Sequence, residues 1–209
     1  VIIAVDGPAA SGKGTLARRL ARHFGLDYLD TGLLYRAVAL RTLAAGADPA
    51  DAAAAEAAAK EFGAGDLDDP RLRDDRLAQA ASMVAAIPAV RAALLAFQRD
   101  FARRGPGAVL DGRDIGTVVC PDADVKIFLT AAVEARAARR FKELQAGGSP
   151  AIYERVLQDM MLRDARDRER QIAPLQRATD AFELDTTALD ADAAFAAALR
   201  HIEAHTTRR

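Results

Sequence analysis

The 209-residue chain has one cysteine, no tryptophan and three histidines. A single cysteine excludes an internal disulfide framework, and Cys120 by itself cannot assemble a zinc site. No neighbouring histidine activates its thiol, so Cys120 reads as a small buried hydrophobe. Charge of one sign is also missing: 29 basic against 30 acidic side chains leave a formal net charge of −1. Nucleic-acid binders carry a basic surplus, so any recognition of phosphate has to be local, and no nucleic-acid partner is expected. Long apolar runs are absent as well. No stretch approaches the roughly 18 apolar residues of a membrane span, which argues against membrane association. Val1–Val5 is apolar, but Asp6 and Gly7 end it, and it lacks the charged flank and longer apolar region of a signal peptide. A cytoplasmic location is the resulting expectation.

The composition that remains, 51% apolar and 28% charged, is that of a folded domain rather than a disordered chain. The length suits one well-buried domain with a small appendage. Short apolar runs alternate with longer helical patterns, which points to an α/β fold with a parallel sheet. Strands are expected at Val1–Val5, Asp27–Asp30, Ala108–Asp111, Val125–Leu129 and Phe182–Asp185. Helices are expected at Lys13–His23, Leu33–Ala45, Ala50–Phe62, Ala89–Arg103, Ala132–Gln145, Ala151–Arg168 and Ala191–His205. Ala52–Ala59, nearly pure alanine, reads as a good helix former on a lightly packed surface. Phe62–Asp75 reads as an irregular connection, and Gly147–Pro150 as a flexible break before another helix, of the kind on which lids hinge.

Gly7-Pro8-Ala9-Ala10-Ser11-Gly12-Lys13-Gly14-Thr15 follows the first strand and opens a helix. This is the GxxxxGK spacing of a Walker A loop in the strand–loop–helix context that it requires. A polyphosphate needs backbone N–H groups pointing inward, and Gly7, Gly12 and Gly14 clear the space that side chains would block. The helix N-terminus adds a favourable dipole, and Lys13 brings a cation to the β and γ phosphates. The hydroxyl that serves Mg²⁺ in such loops arrives one place late, at Thr15, where it acts directly or through water. The Gly-Lys-Gly-Thr ending resembles the loop of nucleoside monophosphate kinases.

Three further segments carry polar chemistry, each with two readings. Asp30-Thr31 before a helix, with Arg36 about one turn on, is either a helix cap beside a solvated arginine or an anion site. Asp111-Gly112-Arg113-Asp114 closes the third strand, as a turn with an ion pair or as a substrate contact. In the second reading Arg113 forks a phosphate and Asp114 accepts from a nucleobase amino group. Arg163, Arg166, Asp167 and Arg170 share one helical face. They form either an ion-paired surface or a lid that brings arginines over a transferring phosphoryl group, with Arg136, Arg139 and Arg140 at its base. His23, His201 and His205 fall in helical patterns and read as surface residues, leaving no placed covalent nucleophile.

Taken in order, these segments resemble the bacterial cytidylate kinase family. The likeness runs through Val5–Pro8, Asp30–Arg36, Ala80–Arg91, Asp111–Val119 and Arg163–Arg168, then Arg170 and Pro174. It spans about Val1 to Thr187. It implies a P-loop NTPase fold: a five-stranded parallel sheet flanked by helices, with a helical lid and an insert beside the monophosphate. The implied division is a core of about 1–45, 105–145 and 175–209, an insert of about 46–104 and a lid of about 146–174. It further implies ATP as donor with Mg²⁺, CMP or dCMP as acceptor, no obligate protein partner and a monomer. By resemblance, Ser82, Arg91 and Asp114 meet cytosine. Thr31, Arg36, Arg113 and Arg170 hold the acceptor phosphate, while Arg163 and Asp167 face the sugar. Lys13, Arg113, Arg163 and Arg170 carry the catalysis. The chain departs from longer family members between about Lys60 and Leu77, where a three-stranded subdomain is replaced by a short Gly/Asp/Arg-rich stretch.

Direct in-line transfer without a phosphoenzyme is the expected mechanism, since a phosphate acceptor is already anionic. Two alternatives stand beside it: a nucleotide sensor or GTPase-like switch, and a kinase for UMP or a non-nucleotide acceptor. The absence of an Asn-Lys-x-Asp guanine signature weighs against the switch.

Overall fold

The computed structural model describes residues 1–74 and 76–206, without the side chains of residues 205 and 206. His205, and Asp75 at the end of the expected irregular connection, therefore lie outside what is described below. Five parallel strands, β1 (Ile2–Asp6), β2 (Asp27–Asp30), β3 (Ala108–Gly112), β4 (Val125–Thr130) and β5 (Phe182–Asp185), form one sheet in the order β2-β3-β1-β4-β5. Eight α-helices surround it: α1 (Lys13–Phe24), α2 (Thr31–Ala44), α3 (Ala52–Lys60), α4 (Leu77–Val84), α5 (Pro88–Ala102), α6 (Val133–Ala146), α7 (Tyr153–Glu169) and α8 (Ala191–Thr206).

Side chains alternate across the strands and so build two cores. Ile3, Val5, Val109, Ile127 and Leu129 pack under α1 and α8 with Leu16, Leu20 and Ile202. Ala4, Leu29 and Leu110 turn to the other face, where α2 to α5 supply Leu34, Val38, Val84, Val90 and Leu94. A strand covered on both faces has to be apolar throughout, and this is why β1 reads as an unbroken run.

Register places the polar strand ends side by side. Asp30 pairs with Asp111, Val5 with Asp111, and Asp6 with Gly112. The three segments that follow these strands are thereby delivered to one edge, where ligands gather in open parallel sheets.

Two expectations are corrected. The alanine-rich helix is not lightly packed: Ala55, Ala58 and Ala59 of α3 are buried in the larger core. Alanine serves there because its single methyl lets helices approach closely, while Asp51 caps the helix at the N–H groups of Ala53 and Ala54. The stretch after Phe62 also carries regular structure. It forms two 3₁₀ turns at Ala64–Asp68 and Pro70–Arg73, and it is followed by α4, a helix that periodicity did not reveal. His23 is exposed, whereas His201 stacks on Phe182 with ring centroids 4.1 Å apart. Among the described residues no single helix is long and apolar enough to cross a membrane.

Candidate active site

The loop between β1 and α1 wraps a space that its own backbone leaves open. Gly7 has φ +151° and Gly12 φ +89°, a region costly for residues with a Cβ. A Cβ on Gly7 would lie 2.5 Å from the Leu129 carbonyl oxygen, so no larger residue fits. Ala10 is held in the left-handed region as well, at φ +56°. The Ser11 hydroxyl is buried with no hydrogen-bond partner among the described residues. Lys13, half-buried, folds back so that its ammonium lies 3.4 Å from the Pro8 carbonyl. Thr15 is exposed on the first turn of α1.

Beneath this loop lie acidic groups to which the sequence reading assigned no role. Asp111 accepts a 2.9 Å hydrogen bond from the Tyr28 hydroxyl, and its Oδ2 sits 3.1 Å from where a Cβ on Gly14 would be. Burial and the neighbouring Asp30 raise its pKa to about 7, with Lys13 and the Tyr28 hydrogen bond opposing them. Burial and Arg113 push the Lys13 ammonium down, with Asp111 and Asp30 opposing. Asp6 accepts from the N–H groups of Ile115 and Gly116, at 2.8 Å each, and so fixes the wide π-turn Ile115–Val119 that follows β3. Burial nevertheless raises its pKa to about 6. The signal for Asp6 and Asp111 was their position at strand ends; which of them would be buried depended on the register.

Across the cavity, α4, α5, the end of β3 and α7 contribute a second cluster. Arg91 and Asp114, both buried, form an ion pair, and Arg170 reaches the other Asp114 oxygen at 3.4 Å. The Arg91 guanidinium also stands 5.4 Å over the Tyr35 ring. Ser82 donates to Asp167 at 3.3 Å, and Arg113 pairs with the other Asp167 oxygen at 2.9 Å. Arg113, then Arg163, hold the Asp167 carboxyl below the usual range against the effect of burial. Arg36 is tied to the carbonyls of Leu72 and Asp74, 2.9 Å each, and anchors the stretch after the first 3₁₀ turn. Of the two readings of Asp30-Thr31, the structure shows the helix cap. Asp30 caps α2 at Gly32 N, and the buried Thr31 hydroxyl donates to the Asp111 carbonyl at 2.8 Å.

Lys13, Gly14, Thr31, Arg36, Ser82, Arg91, Arg113, Asp114, Arg163, Asp167 and Arg170 all line one cavity of about 1040 Å³. Arg166, expected on the same face, turns instead to the Gln79 side chain at 3.2 Å. Arg170 lies at the C-terminal cap of α7 rather than within the helix. Cys120 is buried away from this chemistry, its thiol pushed up to about 11 by burial.

A phosphate loop on the central strand, a parallel sheet in this order and an arginine-bearing helix across the cavity define a P-loop kinase. The sequence model of the cytidylate kinase family matches residues 3–204, and the chain belongs to that family. Relatives named cytidylate kinase include those of Paramagnetospirillum magneticum, 65% identical over 95% of both chains, and Methylocella silvestris, 60% identical over 100% of this chain and 97% of the relative. That of Rhodospirillum rubrum is 57% identical over the full length of both. Among solved structures, an uncharacterized protein from Eubacterium ventriosum covers 98% of both chains at a TM-score of 0.55 and 17% identity. A gluconokinase from Sinorhizobium meliloti covers 99% of this chain and 95% of its own at a TM-score of 0.51 and 15% identity. At that identity the two structures speak for the fold alone.

Proposed function

We infer that the protein transfers the γ-phosphoryl group of ATP to CMP or dCMP, giving ADP and CDP or dCDP. One observation carries this reading: the phosphate loop and the Arg91–Asp114 cluster open on the same cavity. Its volume suits two nucleotides meeting at their phosphates. Gly7 to Thr15 (with Pro8, Ala9, Ala10 and Ser11) hold the donor phosphates, and Lys13 neutralises charge between the β and γ groups. Asp114 accepts from the cytosine amino group, while Arg91 and Ser82 donate to its ring nitrogen and carbonyl. Uracil presents a carbonyl where cytosine has an amino group and so meets the carboxylate poorly; polar mismatch of this kind discriminates by up to about 10⁴-fold. Thr31, Arg36, Arg113 and Arg170 take the acceptor phosphate, with Arg163 and Asp167 at the sugar. Several of these groups already hold protein partners, and binding exchanges those partners for substrate oxygens.

Mg²⁺ takes oxygen ligands and keeps most of its waters, so few protein donors are needed. The Asp111 carboxylate, which lines the cavity against Gly14, is an oxygen donor of that kind, and exposed Thr15 is the hydroxyl that follows in the chain. When bound, the ion neutralises charge on the donor phosphates. The chain's own contribution is to position them and to present Lys13, Arg113, Arg163 and Arg170 to the transferring group. No side chain is required as a covalent intermediate. The division into core, insert (about 46–104) and lid (about 146–174), a monomeric state and a cytoplasmic location complete the reading.

An ADP-release assay with Mg·ATP and a panel of CMP, dCMP, UMP, AMP and shikimate tests it. Release with CMP and dCMP well above the others is expected. Equal release with UMP overturns the role of Asp114, and release without any acceptor dependence overturns the kinase.

A further inference from the structure

A loop that turns its N–H groups inward must turn carbonyls outward, and a buried carbonyl needs a donor. Helix α6 supplies it. Arg136 is only 2% exposed, and all three nitrogens of its guanidinium donate hydrogen bonds. Nε donates to the Ala131 carbonyl at 2.9 Å. Nη1 donates to the Ala9 carbonyl at 3.1 Å and to Asp164 at 3.2 Å, and Nη2 donates to the other Asp164 oxygen at 2.5 Å. The carbonyl of Ser11, two residues along the loop, accepts from Thr186, whose hydroxyl is itself met by Arg139 of the same helix. Ala9 directly precedes Ala10, the alanine held at φ +56°. A residue with a Cβ stays there only where its surroundings enforce it.

Asp164, the second partner of Arg136, lies on α7 beside Arg163 and one turn before Asp167, which holds Arg113 and Ser82. A single buried arginine thus ties the phosphate loop to the helix that carries the arginines across the cavity. Stability does not account for it, because a buried ion pair is often no more stable than apolar residues of the same volume. We propose that Arg136 is a positioning residue for phosphoryl transfer, holding the Ala9–Ser11 backbone and α7 in one frame. The proposal rests on reading Gly7–Thr15 as the cradle for donor phosphates.

Arg136→Lys keeps the charge and loses the fork that reaches Ala9 and Asp164 together. Asp164→Asn keeps the shape and weakens the link to α7. Ile202→Ala, in the core under α8, is a general destabilisation far from the loop. For each, the affinities for ADP and for CMP are measured separately by calorimetry, together with kcat for ATP and CMP, and Tm. Arg136→Lys is expected to weaken ADP binding and lower kcat by about tenfold or more each, with CMP affinity within about twofold, since small misplacements of reacting groups have effects of this size. Asp164→Asn is expected to lower kcat by about tenfold while keeping ADP affinity within about threefold. Ile202→Ala is expected to lower Tm alone.

If Arg136→Lys behaves like Ile202→Ala, losing only Tm, the proposal is overturned. Should Arg136→Lys not fold, Asp164→Asn decides, and a parental kcat there overturns the link. Failure of the parent protein to use CMP sinks the assignment of acceptor instead, and ADP affinity still tests Arg136.

Discussion

Asp6 lies buried at the end of β1 with both carboxylate oxygens committed to backbone N–H groups, yet burial outweighs those bonds and raises its pKa to about 6. A group whose folded pKa lies above its unfolded value of about 3.8 contributes stability that is fully present below that value. The contribution is lost as pH rises through the folded value. Asparagine mimics the protonated form and does not titrate. The stability difference between Asp6→Asn and the parent is therefore expected to move in the variant's favour from about pH 4 to about pH 7, by on the order of 3 kcal/mol at most. Denaturant melts of both proteins without nucleotide check this; a difference independent of pH contradicts it. Asp114 shows residue-scale logic of another kind. Both of its carboxylate oxygens are met inside the protein, one by Arg91 and the other by Arg170.

Among the elements, α3 is where sequence patterning and packing part company. Eight residues of nearly unrelieved alanine and a glutamate carry almost no amphipathic signal, yet half of one face is buried against the larger core. With so little side chain to anchor it, the helix depends on its termini. Asp51 satisfies two otherwise orphaned N–H groups, at 3.0 and 3.1 Å. Asp51→Ala is expected to cost about 1 kcal/mol by equilibrium denaturation, with kcat unchanged. A cost near zero would mean that packing of Ala55, Ala58 and Ala59 alone holds the helix. Helix α4 is hidden for a different reason: eight residues make little more than two turns, too short a stretch for a period to stand out. Its Ser82 was legible only as part of a longer motif. The strands, by contrast, were each found within a residue, because apolar runs that stop at Asp, Gly or Thr mark both the buried body and the polar end of a parallel strand.

For the molecule as a whole, the cavity proposed to take the acceptor is lined from α2, α4, α5, the end of β3 and α7, which lie far apart along the chain. Burial followed by Arg91 pulls the pKa of Arg170 down. On the proposed reading, a monophosphate bound beside these arginines offsets their repulsion and ties the elements together. At about 100 times its Kd a ligand specific to the folded state adds about 2.7 kcal/mol. For a chain of this size that is about 5–10 °C in Tm. CMP is therefore expected to raise Tm by about that much and UMP at the same concentration by far less; equal shifts would remove cytosine as the preferred base.

By itself the sequence determined the phosphate loop, the α/β class and the ordered motifs of the family, because each depends on local spacing: glycines where the backbone must approach an anion, a lysine set between two of them, apolar runs of strand length. Tertiary structure alone decided which polar residues share a cavity. Asp30 and Asp111 meet through strand register, Arg36 is tied to the Leu72 and Asp74 carbonyls, and Arg166 turns to Gln79. It also decided that Arg136, on a helix with no motif of its own, reaches the back of the loop. Partnerships of that kind follow from where the chain returns in space, and no period along it records them.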